Sequence, residues 1–344
     1  MPTLGQVDEH GARSGGSLRG VATMTVSATS NQTGAAVGAS AFDAVGPLGV
    51  VAVRHWVAAA VLLPLARPPV TRMSWRQWWP VLLLAIVFGA MNLSLYTAVD
   101  RVGLALAVTL EFLGPLGVAL AGSRTRRDLL IAAAAAAGVY VLVLPGPSSD
   151  LLGVGAGLLA AVCWAAYIVL NRVVGERLPG LQAPALATTV CALVHLPVIL
   201  VLAADGRLAG APLLSAVAAG VLASAVPYAL DLAALRFVRA RFFGVFMSVH
   251  PVAAAVAGLL LLSQHLVLRE WIGIAVVVLA NVVAVASGGA TTPSRLSARR
   301  RPARRARTVP GHGRAGGTGR PHSGRRTRRP GRAAPRRTPA PPRP

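Results

Sequence analysis

Nine stretches of this chain run for about 20 residues each with few charged side chains, at about 47–66, 79–99, 102–122, 128–146, 151–172, 181–203, 211–234, 242–263 and 266–287. A bilayer core needs roughly 20 apolar residues of helix, because lipid offers no partner to an open backbone. A tenth stretch, about 21–44, is uncharged up to Asp43 but carries Thr23, Thr25, Ser27, Thr29, Ser30, Asn31, Gln32 and Thr33. A helix with so polar a face is expected to line a cavity or pack on neighbours instead of facing lipid. The alternative is that residues 1–44 are disordered and nine helices cross. The chain is 54% hydrophobic and 13% charged, too little charge to clothe a soluble domain. The expected fold is therefore an all-α polytopic membrane protein of ten transmembrane helices.

The charge that is present is unevenly placed. All 34 basic residues are Arg, and half of them lie from Arg295 onward, where no acid occurs. The formal charge of +23 belongs mainly to that tail. Without lysine there is no P-loop and no Schiff-base chemistry, so any transport would draw on a gradient, on another subunit or on no energy source at all. With the N-terminus in the cytoplasm, the inner loops hold Arg67, Arg72, Arg76, Arg124, Arg126, Arg127, Arg172, Arg177, Arg236, Arg239 and Arg241. The outer loops hold only Arg101, Arg207 and Arg269. That asymmetry follows the positive-inside rule and puts both termini in the cytoplasm. Trp75, Trp78 and Trp79 read as an interfacial anchor. Residues 1–19 are a polar, Gly-rich leader without the apolar core of a signal peptide.

The chain also repeats itself. Pro115, Ala119 and Gly122 recur as Pro251, Ala255 and Gly258, each pair separated by 136 residues, and Ala98 and Val102 meet Ala234 and Val238 at the same offset. Five spans per copy is an odd number, so the two copies have opposite orientation. Inverted repeats mark secondary transporters, whose sites lie near the midplane between the copies. The expected division is a first five-helix repeat over 20–147, a second over 151–287, and an Arg/Pro-rich cytoplasmic tail over 288–344 whose composition predicts disorder. Its arginines suit anionic headgroups, while the lack of interleaved aromatic residues argues against sequence-specific RNA.

An ionisable side chain at bilayer depth costs roughly 2.5–3.5 kcal/mol on insertion scales, so each one asks for a reason. Glu111 sits mid-span and reads as a proton or substrate-ammonium site, or else as half of a structural polar pair. Asp231 follows Pro227 and Tyr228 and either faces the pathway or pairs with Arg236 or Arg239 near the inner end. His250 precedes Pro251 and is either a titrating group or a neutral packing histidine. Arg54 either binds a carboxylate with two N–H groups or snorkels outward. His195 and His265 read as structural or interfacial, and Cys163 and Cys191 as small buried residues. Pro115 and Pro251 stand at matched depths as candidate hinges. No catalytic motif, metal-ligand spacing or cofactor signature occurs.

Several segments resemble the threonine/homoserine exporter branch of the drug/metabolite transporter superfamily, with its EamA-type repeats. They are Met91-Asn-Leu-Ser-Leu-Tyr96, Gly103 through Glu111-Phe-Leu-Gly-Pro115, Cys163-Trp164-Ala-Ala-Tyr167, Val226-Pro227-Tyr228-Ala-Leu-Asp231, Arg241 through Ser248, and Asn31-Gln32-Thr-Gly34. The resemblance covers about residues 25–287. It implies a ten-helix basket with a central cavity in the inner membrane, both termini cytoplasmic, exporting amino acids such as threonine or homoserine, with proton antiport as the energy source. Glu111 would be the central charge, and Gln32, Asn92, Tyr96, Trp164 and Tyr228 would shape the cavity. The family pattern has Glu before the proline of the ninth span, where this chain has His250. It has Gly-Glu at the end of that span, where this chain has Ser263-Gln264. The implied partners are a small-molecule substrate and the lipid bilayer, with a homodimer admitted. Alternatives are an exporter of another metabolite or drug, and a membrane-anchored protein that binds lipid or nucleic acid through its tail.

Overall fold

The computed structural model describes residues 5–121, 125–143, 150–234, 236–238 and 240–288, with backbone alone for 5–17, 232, 240, 241, 287 and 288. The tail, expected to be disordered, lies outside the described residues, as do Arg124 and Arg239. Every regular element among the described residues is helical. In order they are α1 Gly5–Ala39, α2 Phe42–Ala66, α3 Trp75–Val102, α4 Leu104–Glu111, α5 Leu113–Leu120, α6 Arg126–Val143 and α7 Leu151–Gly175. There follow α8 Gln182–Val194, α9 Leu196–Ala204, α10 Gly210–Gly220, α11 Val226–Ala234, α12 Ala240–Met247, α13 His250–Leu262 and α14 Leu268–Gly288, with a π turn over Val221–Ala225 joining α10 to α11.

The burial pattern is that of a protein solvated by lipid. Leu130, Leu152, Leu260 and Leu268 are each 70% or more exposed, while Gln32, Arg54, His55, Glu111, Ser224 and His250 are buried. Water would penalise so much open apolar surface, and a bilayer does not. Among the described residues, six helices are long and apolar enough to cross a membrane, or seven if α8 and α9, bent by 47°, form one span. The ten stretches marked in the sequence include three that fall short of that length and composition. α1 is too polar, Leu104–Leu120 is short, and α6 opens on Arg126, Arg127 and Asp128. α1 also starts well before residue 20, so the leader from Gly5 onward is continuous with the first stretch.

Prolines set where these helices break. A proline lacks the N–H that would bond the carbonyl four residues earlier, and its ring crowds that carbonyl. Pro115 faces the carbonyl of Glu111, and α4 ends at Glu111. Pro251 stands in the same relation to Met247, and α12 ends at Met247. The helices therefore yield three to four residues before the prolines that the sequence marks as hinges. In α2, Gly46 has φ +71° and ψ 167°, a conformation closed to other residues, and the regular helix proceeds from Pro47. Local capping fixes other starts. Ser74 and Gln77 form a capping box at α3, and Asp150 accepts from the Gly153 N–H at 2.8 Å to open α7. The backbone N–H of Leu104, at the start of α4, donates to Gln264 Oε1 at 3.0 Å, so this side-chain amide caps a helix.

The main packing pairs are α3 along α7, α6 along α14, α2 along α8, and α1 along α11 and α13. α1 approaches the π turn so closely that a Cβ on Gly34 would lie 2.6 Å from the Ala223 backbone nitrogen. Cys191 lies in the core between α3 and α8, its thiol donating to the Ala85 carbonyl at 3.1 Å.

Candidate functional site

A cavity of about 230 Å³ opens among these helices. α1 contributes Asn31, Gln32 and Ala35, α2 contributes Arg54, and α3 contributes Phe88, Met91 and Leu95. Val108, Glu111 and Phe112 come from the end of α4, and Trp164 and Tyr167 from α7. The remaining wall is Ala223, Ser224, Pro227, Tyr228 and Asp231 together with Met247 and His250.

Glu111 reaches the cavity because α4 stops there. It is 7% exposed, and no ion pair within 4.0 Å joins it to Arg54 among the described residues. Arg54 does not snorkel outward. It is 9% exposed, and its Nε donates to Ser224 Oγ at 2.8 Å while Nη2 donates to the Ala223 carbonyl at 2.7 Å. Its guanidinium carbon stands 5.3 Å from the centre of the Tyr96 ring. Hydrogen bonds to a charged group contribute roughly 1.5–3 kcal/mol each, which offsets part of the cost of burying the guanidinium.

The π turn explains why those partners are available. Pro227 cannot donate to Ala223, its partner in an α-helix, nor to Leu222, its partner in the π pattern. Arg54 takes the first carbonyl, and Ser30 Oγ takes the second at 2.7 Å. One residue thus leaves two carbonyls that α2 and α1 satisfy.

His250 stacks on Phe112 with ring centroids 5.6 Å apart, and Phe112 meets Trp164 edge-on at 4.6 Å. Gln32 Nε2 donates to His250 Nδ1 at 3.1 Å, so that nitrogen is the acceptor. The Oε1 of Gln32 is buried without a protein partner. Asp231 faces the cavity and accepts from Ser27 Oγ at 2.6 Å, and it forms no ion pair with Arg236. His195 is buried at the α8–α9 bend, its Nδ1 2.7 Å from the Cys191 carbonyl, and its ring lies 5.2 Å from that of His55 behind Phe88.

Two expected cavity residues lie elsewhere. Asn92 donates to the Phe88 carbonyl of its own helix at 2.8 Å, and Tyr96 is fully buried against Phe42 and Arg54. The cause is helical phase. Phe88, Met91 and Leu95 share the cavity face at spacings of three and four, and positions one residue further on turn away. The sequence reading assigned no cavity role to Ser224 or Phe88, nor to Met91, Leu95, Phe112 and Met247, although these last four stand inside segments quoted for the family resemblance. The 136-residue offset is the signal that finds most of them, since Phe88 pairs with Ser224, Met91 with Pro227, Leu95 with Asp231, and Glu111 with Met247. Asn31 and Tyr167, also paired at that offset, stood inside segments quoted for the family resemblance.

The EamA-like transporter family model matches residues 151–286. The threonine/homoserine exporter RhtA of Salmonella typhimurium is 32% identical over 272 residues, covering 78% of this chain and 90% of its own. The chain belongs to the EamA-like transporter family, on the threonine/homoserine exporter branch. The threonine/homoserine exporter RhtA of Escherichia coli K12 is a further relative, 31% identical over 75% of this chain and 88% of its own. A protein crystal structure shares the fold, with a TM-score of 0.50 and 23% identity over 83% of this chain and 98% of its own. As an EamA-like protein with apolar outward helices, the chain is a multi-pass inner-membrane transporter of a small molecule and not an enzyme.

Proposed function

We propose that this transporter exports small amphipathic amino acids, threonine and homoserine foremost, through ten helices arranged as two inverted five-helix repeats with both termini in the cytoplasm. The carrying observation is the cavity at which α4 ends, where Glu111 is a buried acid aimed at a space of about 230 Å³. That volume lies below the roughly 300–1,000 Å³ of sites for drug-sized ligands, which favours a metabolite over a drug. Glu111 holds the substrate ammonium or the coupling proton, and His250 and Asp231 complete the polar lining.

Several recurrences support the repeat. The bounds of α4 recur at 136 residues in α12, and the end of α1 recurs in the end of α7. Exchanging halves maps the packing of α3 on α7 onto that of α11 on α1, and the packing of α5 on α7 onto that of α13 on α1. Cavity residues fall on paired positions of both halves. Arg177 donates to the Arg76 carbonyl at 2.7 Å and lies 5.2 Å from the centre of the Trp79 ring, gathering basic and aromatic residues at one end, as a cytoplasmic interface requires.

The test is efflux from cells loaded with threonine or homoserine as dipeptides. The full chain should raise efflux, and a Glu111→Gln variant, present at wild-type level in the membrane, should abolish it. Retained efflux in that variant removes Glu111 from the mechanism. An inserted protein that moves neither solute removes the substrate assignment. Collapse of the proton gradient should stop net export if antiport drives it.

A further inference from the structure

The geometry points to a carboxylate-selective fork in this cavity: Ser224 and the Ala223 carbonyl, presented by the π turn, hold Arg54 so that its free edge takes the carboxylate of the solute. The inference rests on the reading of the cavity as the substrate site.

A guanidinium carries five N–H groups along two usable edges. The side edge, Nε with Nη2, is occupied by Ser224 Oγ and the Ala223 carbonyl at 2.8 and 2.7 Å. Both groups come from one turn of backbone, so they fix the plane of the fork as well as its position. The Tyr96 ring, 5.3 Å from the guanidinium carbon, backs it on one side. What is left is the end edge, Nη1 with the second N–H of Nη2. That edge matches the two oxygens of a carboxylate in a bidentate pair. A carboxamide offers one acceptor oxygen and an NH₂ that opposes the second donor, so it loses half of the pairing. Lysine could not replace this arrangement, since a point charge has no edges. Ser224 touches no solute in this scheme. It is a positioning residue, and the π turn that aims it follows from Pro227.

The experiment measures binding of threonine, homoserine and threoninamide, together with a panel of other amino acids and their amides, to the full chain in nanodiscs. The wild type should bind carboxylates at least tenfold more tightly than the matching amides. Ser224→Ala should weaken carboxylate binding about tenfold and leave amide binding within twofold, and Ser224→Thr, which keeps the hydroxyl, should restore it. Pro227→Ala returns a donor to the Ala223 carbonyl and should weaken carboxylates in the same direction. Equal loss for acids and amides in Ser224→Ala, or no loss for either, overturns the proposal. A wild type that moves threonine yet binds threonine and threoninamide alike leaves the exporter reading standing and removes the fork. A protein that binds neither threonine nor homoserine but separates other acids from their amides through Ser224 keeps the fork and loses the named substrates. Failure to separate any acid from its amide overturns it.

Discussion

α3 and the stretch from α10 to α11 stand at the same offset in the two halves of the chain, yet one is a continuous helix of 28 residues and the other is broken by a π turn. The difference traces to one pair, Met91 against Pro227. Along α3 the cavity face reads Phe88, Met91 and Leu95. Along its counterpart it reads Ser224, Pro227 and Asp231. Matched scaffold positions thus carry an apolar wall on one side and hydrogen-bonding groups on the other. The same division appears at the broken helices, where Glu111 pairs with Met247. In the proposed repeat, symmetry would lie in the shape of the frame and asymmetry in the residues at its facing positions.

The comparison can be broken most sharply at the Glu111–Met247 pair. Glu111→Gln should abolish threonine efflux, whereas Met247→Leu should keep at least half of it. A large loss in the leucine variant would show that the two halves share the chemistry equally. Next comes Met91→Pro, which places in α3 the residue that breaks its counterpart. Among the described residues no arginine or serine side chain bonds the Ile86 or Val87 carbonyl, so the variant should lose about 3 kcal/mol or more of stability, read as a fall in the denaturation midpoint in detergent. An unchanged midpoint would mean that the π turn in the second half needs no partners. Ser27→Ala removes the hydroxyl that bonds Asp231 and has no counterpart at Leu95. A loss of about 1.5–3 kcal/mol is expected. The smallest effect lies at Asp150, whose carboxyl is held below its ordinary value of 3.8 by the Gly153 N–H and by Arg101, 2.8 Å away. A lowered value in the folded state stabilises above the ordinary value and is lost as the pH falls through the folded one. Asp150→Asn should therefore lower the unfolding temperature slightly at neutral pH and leave it equal to wild type in strong acid.

Much of the frame was legible because a bilayer imposes one long apolar run per crossing, and because prolines act on a known carbonyl. Pro115 and Pro251 marked the breaks, although the helices part before each proline and not at it. Glu111, Asp231, His250 and Arg54 stood out as ionisable groups in apolar surroundings, Gln32, Trp164 and Tyr228 came with the family resemblance, and all of them line the cavity. Asn92 and Tyr96 came with the resemblance too but face away, since a matching segment does not tell which side of a helix points inward. Ser224 was overlooked because a serine in a helix is commonplace until a proline three residues later gives its backbone an unusual shape. The direction of Arg54 depended on that shape as well.

The broken helices have one more effect, electrostatic in kind. The carbonyls of Glu111 and Met247 each face a proline that cannot donate to them, at helix ends where aligned peptide dipoles leave partial negative charge. Met247 offers no acid, yet its end of the cavity keeps this fixed negative potential. No change of pH titrates it away, so on the proposed reading of the cavity a solute ammonium would meet some attraction from the second half of the protein whatever the charge of Glu111.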